Sequence, residues 1–327
     1  SPADNNLNGV LLLRNPEKSE NPIKWYSSKI AGVPFILRNL LTLQKADIKT
    51  LVVFMEDPHG DFQKSFEKIL QDPRLSQDII WIGNITQLKE WIQNNPNPVY
   101  IFNGSALHDN KKLYQLIRSE TQNGEEFFFP INPENLQDLL LNNALDSIIS
   151  RSSESRHMGF PVYIPGSKDA EIQKPEDFKI LHEAQMRNSG LHHDSAITRI
   201  LSRPASRVLT RMFLNTPISP NQITLISFFL GLTSAFLFSR GYYESSVIAS
   251  VLLVLSTWID GTDGEIARLK FMESDIGKKL DLYCDNIIHF LVFTAIGYGV
   301  FLKTSETLFL YLGSLAGLGG LLAFFLL

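Results

Sequence analysis

The chain has 327 residues, which is more than one ordinary core accommodates and points to two domains. Its net charge of -4 comes from 30 basic against 34 acidic side chains, with no strong basic tract, so nucleic acid is not an expected partner. The single cysteine, Cys284, excludes an intrachain disulfide and any cysteine-based metal site.

That cysteine use fits a reducing, cytoplasmic setting for a soluble part. The average composition hides a split. Residues 1–190 carry charges throughout and read as a soluble α/β domain, whereas from Ile223 onward long apolar runs dominate. Two Asn-x-Ser/Thr triplets, at Asn84 and Asn103, carry no meaning in a cytosolic domain. The chain begins at Ser1 without a methionine and stops at Leu327 inside an apolar run, so both ends read as those of a fragment.

In chain order, Val10–Leu13 reads as a strand and Phe35–Ala46 as an amphipathic helix. Leu51–Met55 is a strand, Phe62–Gln71 a helix, Ile79–Ile82 a strand, Leu88–Asn94 a short helix and Val99–Asn103 a strand. Strands alternating with helices imply βαβ units and a mostly parallel, Rossmann-like sheet. Residues 152–175 are rich in Ser, Gly, Pro and charge and read as loop, with a strand at Pro161–Ile164. Glu176–Arg187 is helical again.

Residues 191–216 form a juxtamembrane segment. Arg199, Arg203, Arg207 and Arg211 recur at every fourth position, which on a helix makes one basic stripe. Such a stripe is either a solvated face or a helix lying at the membrane surface with arginines near phosphates. The span that follows at once favours the second.

Residues 217–327 form an all-α membrane domain. Ser219-Pro220-Asn221-Gln222 has the pattern of a capped helix start, with Ser at the N-cap, Pro at the first helical position and Gln three residues after the cap. Apolar runs cover Ile223–Phe238, Val247–Ile259, Ile287–Leu302 and Thr307–Leu327, which makes four spans. The second and third fall short of ~20 apolar residues unless the acids beside them belong to the same helices. The segments around the acids hold Arg199, Arg203, Arg207, Arg211, Arg268, Lys270, Lys278 and Lys279, and the opposite loops only Arg240 and Lys303. The positive-inside rule therefore puts the acids and the N-terminal domain on the cytoplasmic side of a cell's inner membrane.

Chemistry concentrates in Asp260-Gly-Thr-Asp263-Gly264-Glu-Ile-Ala267-Arg268, followed by Gly277, Asp281 and Asp285. Asp260 and Asp263 share one helix face, as do Asp281 and Asp285, and two adjacent antiparallel helices can bring all four to one point. Four carboxylates in a partly dry site need cations, and oxygen ligands select Mg²⁺ or Mn²⁺, with room for two ions suited to displacement at phosphorus. Gly264 and Gly277 remove side chains where a base or diphosphate could approach, and Arg268 can pair with phosphate oxygens. Glu265, Lys270, Glu273, Asp275, Lys278 and Lys279 read as an ordinary charged loop between spans. Asp281 and Asp285 lead straight into an apolar run, where acids are costly and usually functional.

This stretch resembles the signature of the CDP-alcohol phosphotransferases, D-x-x-D-G-x-x-A-R-x8-G-x-x-x-D-x-x-x-D, at all eight fixed positions: Asp260, Asp263, Gly264, Ala267, Arg268, Gly277, Asp281 and Asp285. At roughly 5–10% per residue type, a chance match at one start is on the order of 10⁻⁹. The resemblance implies a CDP-linked donor, an alcohol acceptor, release of CMP, two metal ions on the aspartates, and Asp285 as the base that activates the acceptor hydroxyl. A metal-bound carboxylate is a weak base, so either Asp285 leaves the metal during turnover or the metal acidifies the hydroxyl. Thr216 to Thr224, with Pro220, Asn221 and Thr224, resembles the family's T-P-N-x-x-T entry to its first span, and Asp194 with the arginine stripe resembles its juxtamembrane helix. Family members usually have six spans and often dimerise through them, which implies further spans beyond Leu327 and a homodimer.

Upstream, Ile30 to Ile48 and Val99 to Gly104 are similar to segments of nucleotidyltransferase folds. The place of their glycine-rich phosphate loop reads Arg14 to Pro22 without glycine, and Ser105 stands where a metal-binding Asp is expected. These departures favour a non-catalytic domain that positions or assembles the transferase. The layout resembles the bifunctional inositol-phosphate cytidylyltransferase/di-inositol-phosphate-phosphate synthases. Inositol phosphate or glycerol phosphate then becomes a plausible acceptor, with CDP-diacylglycerol or a CDP-polyol as donor. The rival reading is a divalent-cation transporter or metal-sensing membrane protein. It would place acids near mid-span, whereas these cluster at one membrane face beside glycines and an arginine.

Overall fold

The structure, a computed structural model, describes residues 7–16, 20–95, 97–118, 129–131, 161–189 and 203–326. The chain divides into two compact units, Ser1–Ala184 and Gln185–Leu327.

The first unit is an α/β sandwich. Its strands are β1 (Leu7–Leu12), β2 (Lys29–Ile30), β3 (Val33–Pro34), β4 (Ile48–Phe54), β5 (Asp78–Ile82), β6 (Val99–Asn103), β7 (Phe129–Pro130) and β8 (Val162–Ile164). Its helices are α1 (Pro22–Ser27), α2 (Phe35–Lys45), α3 (Asp61–Leu70), α4 (Ile85–Gln93) and α5 (Asn110–Arg118), and α6 (Pro175–Asn188) runs across the boundary with the second unit. The main sheet has the order β5-β4-β1-β6-β8-β7 and is parallel except for β7.

Strand alternation explains the two cores. Leu11, Leu13, Leu51 and Val53 point to one face, where they meet Phe35, Ile36 and Leu40 of α2. Val10, Leu12, Val52 and Phe54 point to the other and meet Leu88 and Ile92 of α4. Both faces are covered, which is why β1 and β4 read as nearly continuous apolar runs.

The expected βαβ alternation is present, with shifts at the ends. β4 begins at Ile48 rather than Leu51, because Ile48 is itself buried beside the core. Helix α1, which the sequence reading did not assign, begins at the end of the Arg14–Pro22 stretch: Asn21 Oδ1 accepts from the backbone N–H of Ile23 at 2.9 Å and Pro22 sits at the first helical position. The two glycosylation-like triplets have local structural roles. Asn84 caps α4 through Thr86 N–H, and Asn103 Oδ1 accepts from Ser105 N–H. Arg38, buried under the β2–β3 hairpin, donates to the carbonyls of Ile30 and Ala31, and desolvation lowers its pKa to about 10.

The strand order reverses direction between β1 and β6, the place where such sheets usually open a ligand crevice. Here that crevice is occupied by the domain's own groups. Gly104 N–H donates to Leu12 O at 2.7 Å, and Arg14 N–H donates to the Tyr26 hydroxyl at 2.9 Å, which in turn donates to Arg14 O at 2.7 Å. Arg14 Nη2 donates to the Tyr163 hydroxyl at 3.1 Å.

His108 closes the same end. Its Nε2 lies 2.9 Å from Asn103 O, which can only accept, so the proton sits on Nε2. Burial of the ring lowers its pKa from 6.5 to about 4. An unfolded chain therefore takes up a proton on this residue at a higher pH than the folded one. Its neutral burial stabilises the unit fully above pH 6.5, and that stability is lost as the pH falls toward 4, a loss of roughly 3 kcal/mol. Urea midpoints measured from pH 7 to pH 4 should fall accordingly, and His108→Phe should flatten that part of the curve.

In the second unit, α7 (Arg203–Leu214) precedes four long helices, α8 (Pro220–Phe238), α9 (Tyr243–Lys270), α10 (Asp275–Thr304) and α11 (Leu308–Leu326). By length and composition α8, α9 and α10 can each cross a membrane, so the unit is that of an integral membrane protein. Four apolar runs were expected as spans, and the fourth coincides with α11, whose described apolar part, Leu308–Leu322, is shorter than the other three. The capping box at the start of α8 is complete: Ser219 Oγ accepts from Gln222 N–H, and Gln222 Oε1 accepts from Ser219 N–H. Helices α9 and α10 extend through the acids, reaching 28 and 30 residues. They are joined at Phe271–Ser274, where Phe271 turns the chain at φ 56 and Ser274 Oγ caps α10 by accepting from Gly277 N–H.

Candidate metal centre

Asp260 and Asp263 stand on α9, and Asp281 and Asp285 on α10. A short turn joins these helices and both pack against α8, which brings the end of one near the start of the other. Oxygen atoms of Asp260, Asp281 and Asp285 lie within 4.8 Å of one another, close enough to share one ion. Asp263 is outside that group; it is buried and accepts a hydrogen bond from the Thr224 hydroxyl of α8.

Helix α8 supplies the support from the other side. Ser227 Oγ is 3.3 Å from Asp260 Oδ1, and Ser256 of α9 donates to Ser227 O at 2.7 Å. Ser227 was not singled out from sequence, because a serine inside an apolar run gives no sign of which neighbour it meets. Thr224 and Ser227 are three apart on one helix face, and that spacing was the available signal.

The fit to a cation can be tested on the donor set. Asp281 Oδ1 is buried and has no hydrogen-bond partner among the described residues. A buried carboxylate oxygen is costly without a donor or a cation. Three carboxylates this close also repel one another, and all their ligand atoms are hard oxygens. The residues therefore fit a hard divalent ion such as Mg²⁺ or Mn²⁺.

The other positions of the motif lie on the same two helices, and Pro220 and Asn221 on α8. Arg268 Nε donates to Ser189 O at 3.0 Å, and a side chain on Gly264 would stand 3.2 Å from the Arg268 guanidinium. Gly277 lies under Asn221, whose Oδ1 would be 2.9 Å from an added Cβ. The two glycines thus give room to Arg268 and Asn221, within the protein itself. Pro220 is the buried first residue of α8, and Ala267 O accepts from Met272 N–H at 2.8 Å in the turn that ends α9.

Two residues read as parts of a solvated loop are instead buried. Glu265 is fully buried and accepts from Thr210 Oγ1 at 2.7 Å, and Lys270 donates through Nζ to Thr216 O at 2.9 Å. Both lie on α9, which runs on past the acids, so they face protein rather than water. Glu273, Asp275, Lys278 and Lys279 are exposed, as a charged loop requires. Of the arginine stripe, Arg207 and Arg211 are exposed on α7 and Arg203 begins that helix, while Arg199 and Asp194 lie outside the described residues.

The membrane unit thus carries an oxygen-ligand cluster on two long helices joined by a short turn. Residues 217–326 match the model of the CDP-alcohol phosphatidyltransferase family. The chain is also similar to proteins named bifunctional IPC transferase and DIPP synthase. It is 29% identical to that of Rubrobacter xylanophilus over 136 residues, covering 42% of this chain and 30% of the relative. The Archaeoglobus fulgidus protein of the same name is 32% identical over 133 residues, covering 39% and 26%. The archaetidylinositol phosphate synthase of Pyrococcus horikoshii is 26% identical over 120 residues, covering 37% and 62%. The chain thus spans under a third of the length of the first of these relatives.

Proposed function

We propose that the membrane unit transfers a substituted phosphate from a CDP-linked donor to an alcohol, releasing CMP. The observation that carries this is the convergence of Asp260, Asp281 and Asp285, with an Asp281 oxygen that has no partner among the described residues, inside the segment that matches the family. In the reaction the acceptor oxygen bonds to the donor's β-phosphorus, and the bond from that phosphorus to the CMP oxygen breaks. Asp285 takes the hydroxyl proton. Asp260, Asp281 and Asp285 would hold one Mg²⁺ or Mn²⁺, and Asp263, fixed by Thr224, would complete a second position. Divalent ions held there would supply charge neutralisation for the diphosphate and the leaving CMP. Arg268, Gly264, Ala267, Gly277, Pro220, Asn221 and Thr224 form the wall against the nucleotide diphosphate.

Relatives named as archaetidylinositol phosphate and DIPP synthases support a phosphorylated polyol such as inositol phosphate as acceptor, ahead of glycerol phosphate. The balance of basic residues supports a site facing the cytoplasm from the inner membrane, with Arg199, Arg203, Arg207 and Arg211 at the lipid phosphates. A homodimer through the membrane helices fits the family habit. The family match counts against an ion transporter or sensor.

For residues 1–190 we favour a positioning role without catalysis, ahead of the juxtamembrane segment 191–216. The support is local. The backbone groups at the end of β1 and at Gly104, which would face a nucleotide phosphate, bond instead to Tyr26 and Leu12.

The test is CMP release by the protein in liposomes, with CDP-diacylglycerol and CDP-inositol each offered inositol phosphate and glycerol phosphate. Release that needs Mg²⁺ or Mn²⁺ is expected from one donor–acceptor pair. No CMP from any pair, with tight divalent binding retained, would overturn the reading.

A further inference from the structure

Glu265 is the acid in the signature region that neither joins the carboxylate group nor reaches water. It is fully buried, and both its oxygens face α7: Thr210 Oγ1 donates to Oε2 at 2.7 Å, and Ser206 Oγ lies 3.4 Å from Oε1. Ser206 and Thr210 are themselves buried and stand one turn apart, so α7 presents them together on one face. The helices approach closely at that crossing. A side chain on Gly261, next to Asp260, would come within 4.0 Å of Ser206 Cβ.

Ser206, Thr210 and Leu214 form the buried edge of α7, and the opposite face is exposed. Arg207 and Arg211 follow Ser206 and Thr210 by one position and are exposed, as are Val208 and Met212 one position further. Arg207 Nη2 reaches Arg187 O at 3.5 Å, a weak tether. A one-residue rotation of α7 would bury an arginine and move the basic face by about 100°.

An apolar side chain in place of Glu265 would fill the crossing equally well without desolvating a carboxylate. A buried ionisable group held by two directional hydroxyl bonds does something packing does not: it admits one rotation and one register of the partner helix.

We infer that Glu265 is a positioning residue. It locks α7 across α9 between Gly261 and Glu265, and so sets where Arg207 and Arg211 stand relative to the aspartates two and five residues away. The consequence for catalysis rests on the transferase reading, with the arginine face serving the phosphate of the acceptor. The mechanical part does not rest on it.

The experiment therefore has two arms, run on the full chain in detergent and in liposomes. Hydrogen–deuterium exchange compares wild type with Glu265→Leu, Glu265→Gln and Thr210→Val. Backbone amides of α7 should exchange about tenfold faster or more in Glu265→Leu and Thr210→Val, while α8 and α10 stay unchanged and Glu265→Gln stays near wild type. In the kinetic arm, Glu265→Leu and Thr210→Val should raise the KM for the phosphorylated acceptor about tenfold, with kcat within about twofold. Glu265→Gln should restore it, since the amide still bonds both hydroxyls. Should Glu265→Leu fail to fold, the near-isosteric Thr210→Val carries both readouts. Unchanged α7 exchange in the folded variants would overturn the lock. Changed exchange with kcat reduced and KM unmoved would overturn the link to the acceptor. If wild type releases no CMP at all, the transferase reading fails and the exchange arm still decides the lock.

Discussion

Replacing Asp281 by Asn is expected to abolish metal-dependent CMP release, lowering kcat/KM by about 10³-fold or more, while leaving the helices folded. The reason lies in how unequally the three clustered acids are served. Asp260 has Ser227 beside one oxygen, whereas Asp281 Oδ1 is buried with no hydrogen-bond partner among the described residues. An oxygen in that state is stabilised only by something that binds there, and a cation is the group that also relieves the repulsion from Asp260 and Asp285. Asparagine keeps the shape but removes a negative charge and turns one oxygen into an amide. Mn²⁺ titration followed by electron paramagnetic resonance, in parallel with CMP release, should show both the affinity and the turnover collapse. A variant that binds Mn²⁺ as well as wild type would remove Asp281 from the ligand set. Wild-type turnover in it would remove the whole centre from the chemistry.

Much of this centre was legible in the sequence because its information is local. The spacings of Asp260 to Asp263 and Asp281 to Asp285 are helix-face spacings, and the short loop between the runs keeps the two acid-bearing helix ends close, while α8 packs against both helices. The Ser219-Pro220-Asn221-Gln222 signal reads as a helix start without reference to anything distant, and its capping box is formed as expected. The misreadings concern residues whose environment is set across helices. Glu265 and Lys270 look like loop charges because nothing nearby in sequence names their partners, Thr210 and Thr216, which lie more than fifty residues upstream. Nothing near Gly277 in the sequence signals that Asn221, from another helix, stands over it. In the first unit, βαβ alternation carried the parallel sheet. The short α1 escaped because its Asn21 cap and Pro22 are also turn residues. The antiparallel edge strand β7, only two residues long, has no periodicity to read.

Gly104→Ala is expected to destabilise the first unit by about 2–4 kcal/mol. Gly104 follows β6 at the point where it parts from β1, and its N–H donates to Leu12 O at 2.7 Å. A Cβ on this residue would stand 2.4 Å from that same carbonyl oxygen and 2.7 Å from a methyl of Leu13. The first obstacle is backbone inside a parallel sheet and cannot swing aside like a side-chain tip. Either the hydrogen bond breaks or the two strand ends separate, and Leu12 and Leu13 are both core residues. Asn39 Nδ2, which donates to Gly104 O at 3.2 Å, would be displaced as well. Urea unfolding followed by tryptophan fluorescence reads this directly, since Trp25, Trp81 and Trp91 all belong to this unit, and the midpoint should drop by about 1–2 M. An unchanged midpoint would mean that β1 and β6 spread at little cost. A crevice that opens so cheaply could admit a nucleotide between Arg14 and Gly104, and residues 1–190 would then have to be assayed for cytidylyl transfer from CTP. A large drop would show the strand ends to be sealed by the domain's own bonds, as expected of a domain that positions the transferase rather than feeding it.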